Sequence, residues 1–429
     1  MMERYREYKE SGVKWLGEIP SHWEVVPLRK YLKINTRRNM PEAQLLSVTR
    51  EEGVIVRNVE SKEENHNYIP DDLSNYKYVQ RGQFVINKMK SWQGSYGVSN
   101  YDGIVSPAYF VYDLNYPNKD YFNIAIRSKI FSPFFSKYSK GIRVDQWDLT
   151  PEALKIIPFL EPPKAEQDAI VRYLDSATSE IDKAIAMQQK MIDLLNERKQ
   201  IIIQNAVTKG LDENVEMKES GVEWIGRIPK HWEVVRLSHL TSKIGSGSTP
   251  KAGYVESGII FLRSQNVYCE GLKLNDVVHI SANVHRNMSG TKVLPNDVLM
   301  NITGGSIGRC FYVDETLGEA NVNQHVSIIR PTSIDTHYLK YYLQSYCGQI
   351  QVSLEQTGGN REGLTAKALA KFLITYPSQS EQKEIAAYLD GEMEKFDSAI
   401  TNCQRQITLL QERKQIIINE VVTGKVRVI

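Results

Sequence analysis

Two stretches of the chain repeat apolar residues at the spacing of a helix. In residues 174–202 the positions at steps of three and four are mostly apolar, and the same stepping returns in residues 389–417. Such a stripe predicts a long helix that packs along another helix, because neither stripe can remain in water. Since the two stripes match each other, we predict that the helices pair as an antiparallel coiled coil with pseudo-twofold symmetry.

Turn and cap residues mark the starts of both helices. Pro162 and Pro163 precede the first helix, and Pro377 precedes the second. Ser378, followed three residues later by Glu381, predicts a capping box at the second start. These signals place the long helices over residues 164–210 and 377–429.

The residues outside the long helices carry the pattern of strands. Short runs of aliphatic and aromatic residues are bounded by Gly, Asn and Asp, which is typical of strands separated by turns. The clearest runs are residues 82–87, 107–112, 258–263 and 297–302. The last run continues into Gly304 and Gly305, which predict the turn of a β-hairpin.

An internal repeat divides the chain into halves. Residues 9–28 return as residues 218–237 with five differences in twenty positions, and the blocks that begin at Glu166 and Glu197 return at Glu381 and Glu412. Between these blocks the halves share little identity. The pattern predicts an α+β fold with two mixed α/β modules, residues 1–163 and 211–376, each followed by one long helix.

Composition excludes several classes of protein. The 429 residues include 53 Lys+Arg, 51 Asp+Glu and 41% hydrophobic residues, which are ordinary globular values. The longest apolar runs are far shorter than the roughly 20 residues of a membrane span, so a soluble, cytoplasmic protein without membrane contact is expected. The four Cys form no C-x-x-C pair, and we expect neither a zinc site nor disulfides.

Motifs of catalysis are missing from the sequence. There is no N-P-P-Y or D-P-P-F run of a base methyltransferase, and no H-E-x-x-H metal pair. The stretch GSGSTPKAG (245–253) lacks the Lys directly after Gly that a phosphate-binding loop requires, and TGGSIGR (303–309) is more typical of a turn. His22 and His231 occupy equivalent places in the repeat, so packing or hydrogen bonding is their expected role. No catalytic residue is predicted.

Basic, amide and aromatic side chains suggest a nucleic-acid surface, since Lys and Arg neutralise phosphate while Asn, Gln and Arg recognise base edges. The basic excess is modest: 18 Lys+Arg against 13 Asp+Glu in residues 29–150, and 12 against 10 in residues 238–371. On composition alone, solvated loops with Trp92 and Trp147 in the core are the stronger alternative. The candidate DNA-binding residues are Lys88, Lys90, Trp92, Gln93, Tyr96, Arg143 and Gln146 in the first half, and Ser248, Lys251, Arg263, Gln265, Asn266, Asn301, Arg309, Asn360 and Arg361 in the second.

The whole chain resembles the specificity subunit (HsdS) family of type I restriction–modification systems. The residues that carry the resemblance are the repeated SGVKWLGEIPSHWEVV and SGVEWIGRIPKHWEVV, the helix starts PPKAEQDAIVRYLD and PSQSEQKEIAAYLD, and the ends LLNERKQIII and LLQERKQIII. Within the modules, YDGIVSPAY, DVLMNITGGSIGR and NVNQHVSIIRP resemble target-recognition domains of that family.

This resemblance implies a chain that binds DNA and does no chemistry itself. Each module would recognise one half of a bipartite, asymmetric site in double-stranded DNA. Two modification (methyltransferase) subunits would bind the repeated frame, and the restriction subunits would bind through them. S-adenosylmethionine, ATP and Mg are then expected on the partner subunits, and this chain needs no cofactor.

Two other classes remain open at this stage. One is a DNA-modifying enzyme with its own active site, which the missing motifs disfavour. The other is a coiled-coil adaptor whose globular modules bind proteins, which composition does not exclude. The adaptor would show no salt-dependent binding to DNA.

Overall fold

A computed structural model describes residues 3–59, 69–141, 147–251, 253–356 and 363–428. The chain forms two compact units. Unit 1 comprises Met1–Gln188 together with Arg405–Ile429, and unit 2 comprises Gln189–Gln404. Each long helix therefore begins in one unit and ends in the other.

The first module is the globular part of unit 1. Its strands are β1 (Tyr8–Glu10), β2 (Glu18–Pro20), β3 (Glu24–Pro27), β4 (Leu32–Asn35), β5 (Leu46–Thr49), β6 (Gly53–Val56), β7 (Lys77–Val79), β8 (Phe84–Asn87), β9 (Tyr96–Val98), β10 (Gly103–Val105), β11 (Tyr109–Leu114) and β12 (Pro158–Glu161). Its helices are α1 (Lys119–Arg127), α2 (Ser132–Tyr138) and α3 (Pro151–Lys155), and the long helix α4 (Lys164–Lys209) follows.

The second module is the globular part of unit 2. Its strands are β13 (Met217–Glu219), β14 (Arg227–Pro229), β15 (Glu233–Arg236), β16 (Thr241–Ser246), β17 (Ile259–Leu262), β18 (Val278–Ile280), β19 (Lys292–Val293), β20 (Val298–Asn301), β21 (Cys310–Tyr312), β22 (Ala320–Val322), β23 (Val326–Pro331) and β24 (Leu373–Tyr376). Its helices are α5 (Ala282–Asn287), α6 (Thr336–Gln344), α7 (Tyr346–Glu355) and α8 (Ala366–Ala370), and the long helix α9 (Gln379–Val422) follows.

The main sheets of the two modules have the same topology. In the first module an antiparallel sheet has the order β4-β11-β8-β9, and in the second the order is β16-β23-β20-β21. A second sheet, β18-β17-β22-β19, contains the parallel pair β17/β22. The first module matches it with the antiparallel pairs β5/β6 and β7/β10, joined by a parallel bridge between Leu45 and Ile104. The variable modules thus share one framework despite their different sequences.

The strands predicted from the apolar runs are confirmed. Residues 84–87, 109–114, 259–262 and 298–301 are β8, β11, β17 and β20. Strand β20 pairs antiparallel with β21, as a hairpin requires, but a 3-10 turn at Gly304–Ser306 lengthens the connection beyond a two-residue turn. The capping box is also confirmed, since the backbone N–H of Glu381 donates to Ser378 Oγ and that of Ser378 donates to Glu381 Oε2.

Each unit contains part of both long helices. Unit 1 joins the first half of α4 to the last turns of α9, and its core includes Leu174 and Val421. Unit 2 joins the last half of α4 to the first half of α9, and its core includes Ile203 and Leu389. Apolar residues of both helices thus pack into the core of each unit.

An ion pair between α4 and α9 lies in each unit. Lys414 Nζ is 2.6 Å from Asp182 Oδ1 in unit 1, and Lys199 Nζ is 2.6 Å from Asp397 Oδ1 in unit 2. The two residue numbers add to 596 in both pairs. Antiparallel neighbours in one register have such a constant sum, so both units have the same helix register.

A glutamate in the first turn of each long helix holds the repeated N-terminal segment of its module. Glu381 Oε1 accepts hydrogen bonds from Trp232 Nε1 at 3.1 Å and from His231 Nε2 at 2.7 Å. Glu166 makes the same contacts with Trp23 and His22, at 2.9 and 2.6 Å. The expected hydrogen-bonding role of the two histidines is confirmed. Both tryptophan side chains are buried, so these bonds fix the module to the helix start.

The last residues of the chain complete unit 1. The backbone N–H of Arg427 donates to Glu3 O at 2.8 Å, which joins the two chain ends. Gly424 follows α9 with a φ of +71°, and a Cβ there would lie 2.4 Å from Pro20 Cδ. Glycine is needed at this position for both its conformation and its small size.

Glu381 makes the stability of unit 2 dependent on pH. Burial alone would raise its pKa, but hydrogen bonds from His231, Ser378 and Trp232 outweigh burial and lower the pKa from 4.5 to about 2. A carboxylate with a depressed pKa stabilises the fold above its unfolded pKa, and this stabilisation is lost as the pH falls towards 2.

We therefore expect Glu381→Gln to destabilise unit 2 at pH 7 by about 1–2 kcal/mol, after allowance for partial solvent screening. The difference from the unsubstituted protein should shrink between pH 5 and pH 2. Urea unfolding curves across this range would measure it. Glu384→Gln, an exposed change one turn away, is the control; a difference independent of pH for Glu381→Gln would contradict the assignment.

Candidate nucleic-acid interface

A turn between two strands of the main sheet presents most of the first module's candidates. Strand β8 ends at Asn87, a 3-10 turn spans Ser91–Gln93, and β9 begins at Tyr96. Lys90 and Gln93 are exposed on this turn, and Lys88 is half-buried. Lys88 Nζ lies 2.9 Å from Asp148 Oδ2, so its charge is paired within the module.

The aromatic candidates of the first module are structural. Tyr96 is 1% exposed and stacks on Phe135 with ring centroids 3.9 Å apart. Burial raises the pKa of Tyr96 above its usual range. Trp92 and Trp147 are half-buried and pack against each other with centroids 5.2 Å apart. The alternative that the tryptophans serve packing is therefore supported, although both rings keep some exposed surface.

Arg143 and Gln146 lie outside the described residues. The described residues on either side, Lys140 and Asp148, exchange two backbone hydrogen bonds of 3.0 Å. Asp148 also pairs with Lys88 of the turn in the first module.

The equivalent turn of the second module connects β20 to β21. Asn301 takes the place of Asn87 at the strand end, and Gly308 takes the place of Gly94 with a positive φ. The backbone N–H of each asparagine donates across the turn to the backbone carbonyl eight residues later. The distance is 3.0 Å for Asn87 and 2.8 Å for Asn301. The turns share a backbone frame, but their other residues differ.

Asn301 is buried and ties two loops together. Its Nδ2 lies 2.9 Å from Ser264 O, 3.3 Å from Val267 O and 3.1 Å from Ser306 Oγ. The side chain is 0% exposed, so it supports the loops from within. Arg309, at the end of the same turn, is exposed.

Three further candidates of the second module surround Asp276. The Arg263 guanidinium donates to Asp276 O at 3.1 Å, and Gln265 Nε2 donates to Asp276 Oδ2 at 2.8 Å. Asn266 is 1% exposed and donates to Lys273 O and Asp276 O. Gln265 is exposed and Arg263 is half-buried, whereas Asn266 has an internal role.

The remaining candidates lie in the loop after β16 or outside the described residues. Ser248 is half-buried, with its N–H 3.3 Å from Val322 O, and Lys251 is exposed. The loop approaches β22 closely, because a Cβ on Gly247 would lie 2.1 Å from Val322 O. Asn360 and Arg361 are not among the described residues. Gly363, just beyond them, forms a bridge with Thr303.

An aromatic residue that lies between two cations was not predicted from the sequence. Lys273 Nζ is 3.7 Å from the ring centroid of Tyr268, and the Arg309 guanidinium carbon is 5.1 Å from it. Both basic residues are exposed and Tyr268 is half-buried. Each cation is attracted to the ring face, so the three side chains form a positively charged platform. No motif in the sequence signals it, because Arg309 follows Lys273 by 36 residues.

A second missed group is a hydrogen-bonded network in the loops of the second module. Thr249 Oγ1 donates to Gln324 Oε1 at 2.8 Å, and Gln324 Nε2 is 3.1 Å from His325 Nε2. His325 Nδ1 lies 2.6 Å from Thr303 Oγ1. The network joins the loops that follow β16, β20 and β22. Its sequence signal was the polar triplet Asn-Gln-His directly after a buried strand.

Each unit also exposes apolar residues on a long helix. Leu194 and Ile201 of α4 are 49% and 59% exposed in unit 2. Leu409 and Ile416 of α9 are 53% and 55% exposed in unit 1. These pairs are equivalent in the repeat and lie seven residues apart, on one face of their helix. We call each pair an outer face.

Residues 3–59, 69–141, 147–251, 253–356 and 363–428 contain no group of three or more His, Cys, Asp or Glu side chains able to hold a metal ion. None of the helices in these ranges is both long and apolar enough to cross a membrane.

The chain is similar to known specificity proteins. Residues 229–411 match the family described as type I restriction modification DNA specificity domain. The putative type I restriction enzyme MjaX specificity subunit of Methanocaldococcus jannaschii is 26% identical, and the alignment covers 98% of each chain. The MjaVIII specificity subunit of the same organism is 25% identical over 98% of this chain and 97% of the relative.

Over almost its whole length the chain is therefore similar to specificity subunits of type I restriction enzymes. A solved structure, described as the basis of complex assembly and conformational transition of the type I R-M system, has a similar fold. Its matching chain is 16% identical, with a TM-score of 0.69 over 94% of this chain and 98% of that chain. The likeness confirms the α+β fold predicted for the chain.

We expect Asn301→Ala to loosen the loops of the second module. It would remove the Asn301 donor from the carbonyl of Val267 and leave that of Ser264 with the 3.3 Å bond from the Val267 backbone N–H, at a cost of about 1–3 kcal/mol. Hydrogen exchange should increase in residues 264–267 and 304–309. Asn283→Ala, which removes an exposed amide from α5, is the control. If both variants exchanged like the unsubstituted protein, Asn301 would not be the tie between the loops.

Proposed function

We propose that this chain is the DNA-recognition subunit of a type I restriction–modification complex, in which each module recognises one half of a bipartite, asymmetric site in double-stranded DNA. One observation carries the proposal: the modules share their sheet topology, but their surface turns differ. In residues 83–98 and 297–312 the shared residues are Asn87/Asn301 and Gly94/Gly308. A constant frame with different exposed side chains suits two different half-sites.

The exposed candidates are proposed to contact DNA directly. Lys90, Lys251 and Arg309 supply positive charge for phosphates, and Gln93 and Gln265 supply amides for base edges. The half-buried Lys88, Trp92, Ser248 and Arg263 border the same turns. Arg143, Gln146, Asn360 and Arg361 remain candidates. The buried Tyr96, Asn266 and Asn301 are assigned to holding the turns in shape.

The two outer faces are proposed to bind two modification subunits. Exposed leucine and isoleucine side chains recur at the same places in both repeats, although neither pair is needed for the core. Repeated faces fit two identical partners. The restriction subunits would join through the modification subunits.

The chemistry would belong to those partners. S-adenosylmethionine for adenine methylation, and ATP and Mg for the restriction reaction, are assigned to them, and this chain is the non-catalytic component. Because the host chromosome is the substrate, the complex would act in the cytoplasm.

The long helices are proposed to form an antiparallel coiled coil that sets the spacing of the half-sites. The equal register of the Asp182–Lys414 and Lys199–Asp397 pairs supports this pairing. A helix of 46 residues is roughly 69 Å long at 1.5 Å per residue, longer than one DNA turn of about 34 Å.

The decisive experiment maps N6-methyladenine across the genome of cells that express the modification subunits with or without this chain. A bipartite methylated motif should appear with the chain and vanish without it. The purified chain with S-adenosylmethionine alone should transfer no methyl group. Methyl transfer by the chain alone would favour an enzyme with its own active site, and no DNA binding at low salt would favour a protein adaptor.

Phosphate and base contacts should respond differently to substitution. Lys90→Ala and Lys251→Ala should each weaken binding to all DNA sequences and lower the salt slope by about 1. Gln93→Ala should cost about 1–3 kcal/mol and relax specificity in one half-site. Fluorescence anisotropy at several salt concentrations would measure both effects. Lys14→Ala, which removes an exposed charge from the repeated segment, should leave the salt slope unchanged.

Charges on one outer face should remove one modification subunit. In the double variant Leu194→Glu and Ile201→Glu, burying carboxylates against an apolar partner would be unfavourable, so native mass spectrometry should show one fewer modification subunit. Combining it with Leu409→Glu and Ile416→Glu should remove both. Lys190→Ala is the control on the same helix. If the variant with all four substitutions still bound both modification subunits, the outer faces would not be their binding sites.

Longer helices should lengthen the spacer between half-sites. Seven residues inserted after Gln188 and seven after Cys403 would keep both ion pairs in register and add about 10.5 Å, or roughly three base pairs. The methylated motif should keep both half-sites and gain about that spacing. An insertion in one helix alone should destabilise the pairing. An unchanged spacer in the folded double-insertion variant would mean that linkers set the distance.

A further inference from the structure

The tight turn after strand β22 has a direct equivalent in the first module. The backbone N–H of Val326 donates to Asn323 O at 3.1 Å, and that of Tyr109 donates to Ser106 O at 3.0 Å. Both turns follow the central strand of the second sheet and enter the main sheet, at β23 and β11. They are the same structural position in the two modules.

The exposed residue at the second position of this turn differs. It is Pro107 in the first module and Gln324 in the second. Proline is favoured there, because its fixed φ matches the second residue of a tight turn. The second module has a flexible amide where proline would stabilise the turn, which indicates that the Gln324 side chain has another use.

Both the oxygen and the nitrogen of the Gln324 amide are hydrogen-bonded. Thr249 Oγ1 donates to its Oε1 at 2.8 Å, and its Nε2 meets His325 Nε2 at 3.1 Å. Thr303 orients the imidazole through His325 Nδ1 at 2.6 Å. An exposed glutamine ordinarily samples many rotamers, so these bonds reduce the entropy it would lose on binding a ligand.

The described contacts use half of the amide's hydrogen-bonding capacity. A primary amide has two N–H donors and two carbonyl lone pairs. Among the residues that the structure describes, one N–H and one lone pair of Gln324 are engaged. If the amide were rotated by 180°, its nitrogen would bind Thr249 and its oxygen would bind His325. One N–H donor and one lone pair of the amide would still be left.

A paired donor and acceptor on one amide matches adenine. In the major groove adenine presents the N6 amino group as donor and N7 as acceptor, and glutamine binds both at once. Guanine offers two acceptors there and pairs with arginine or lysine instead. Of the four bases, adenine is the one whose groove edge complements the remaining Gln324 groups through two bonds.

We propose that Gln324 specifies one adenine in the half-site recognised by the second module, and that Thr249, His325 and Thr303 are its positioning residues. This inference rests on the proposed function, and it adds the residue and the base. The first module has Pro107 at the equivalent position, so its half-site lacks an amide contact from this turn. The two turns thereby contribute to the asymmetry of the site.

The test compares methylated motifs produced by the complex of this chain with its modification subunits. Gln324→Ala should reduce preference for adenine at one position of one half-site by about five- to 150-fold, the range for one bidentate contact, and leave the other half-site unchanged. Gln324→Arg should shift that position towards guanine. Thr249→Val should weaken the same preference, because it removes a positioning hydrogen bond. Asn283→Ala is the exposed-amide control in the same module.

Binding of the complex to oligonucleotides with single-base replacements covers the case in which a variant methylates too little DNA to give a motif. Equal weakening on every oligonucleotide would overturn the inference, as would an altered preference at a position that is not adenine. An unchanged motif for both Gln324 variants would overturn it while the proposed function stood. Absence of any chain-dependent motif with the unsubstituted chain would instead refute the proposed function.

Discussion

One carboxylate at the start of each long helix determines how a module is attached. Glu166 and Glu381 accept hydrogen bonds from a buried tryptophan and its neighbouring histidine, and the same residues recur in both repeats. The contact acts together with the apolar core that each module shares with the helix, which includes Leu174 in unit 1 and Leu389 in unit 2. Because the helix is rigid, a fixed attachment also fixes the direction of every surface turn that the module carries.

The modules separate framework residues from surface residues. Asn87 and Asn301 end equivalent strands, are buried, and close equivalent turns through their backbone. The exposed positions beside them are unrelated, as Pro107 and Gln324 illustrate. Side chains at such positions can change with little effect on packing, because they contribute little to the core. One fold can therefore carry two specificities within one chain.

Local patterns predicted the long helices, the capping box and the main strands, since each depends on periodicity or on residues at most four positions apart. The shared topology of the modules was not predictable from the sequence. Strands pair according to which of their faces are buried, and this does not require sequence identity between the two modules. Among the candidates, Asn301 and Gln93 look alike in the sequence, yet one is buried and the other exposed. Gln324 gave little signal, since its partners Thr249 and Thr303 are distant in the chain.

The order of the two units along the polypeptide has a consequence for biosynthesis. Residues 405–429 are translated after all of unit 2, yet they belong to unit 1, where Gly424 packs beside Pro20 and the backbone of Arg427 binds that of Glu3. The first module is translated early, but it cannot bury its core fully until the second part of α9 has been made. A stop codon shortly before residue 405 would therefore damage the half of the molecule that was made first.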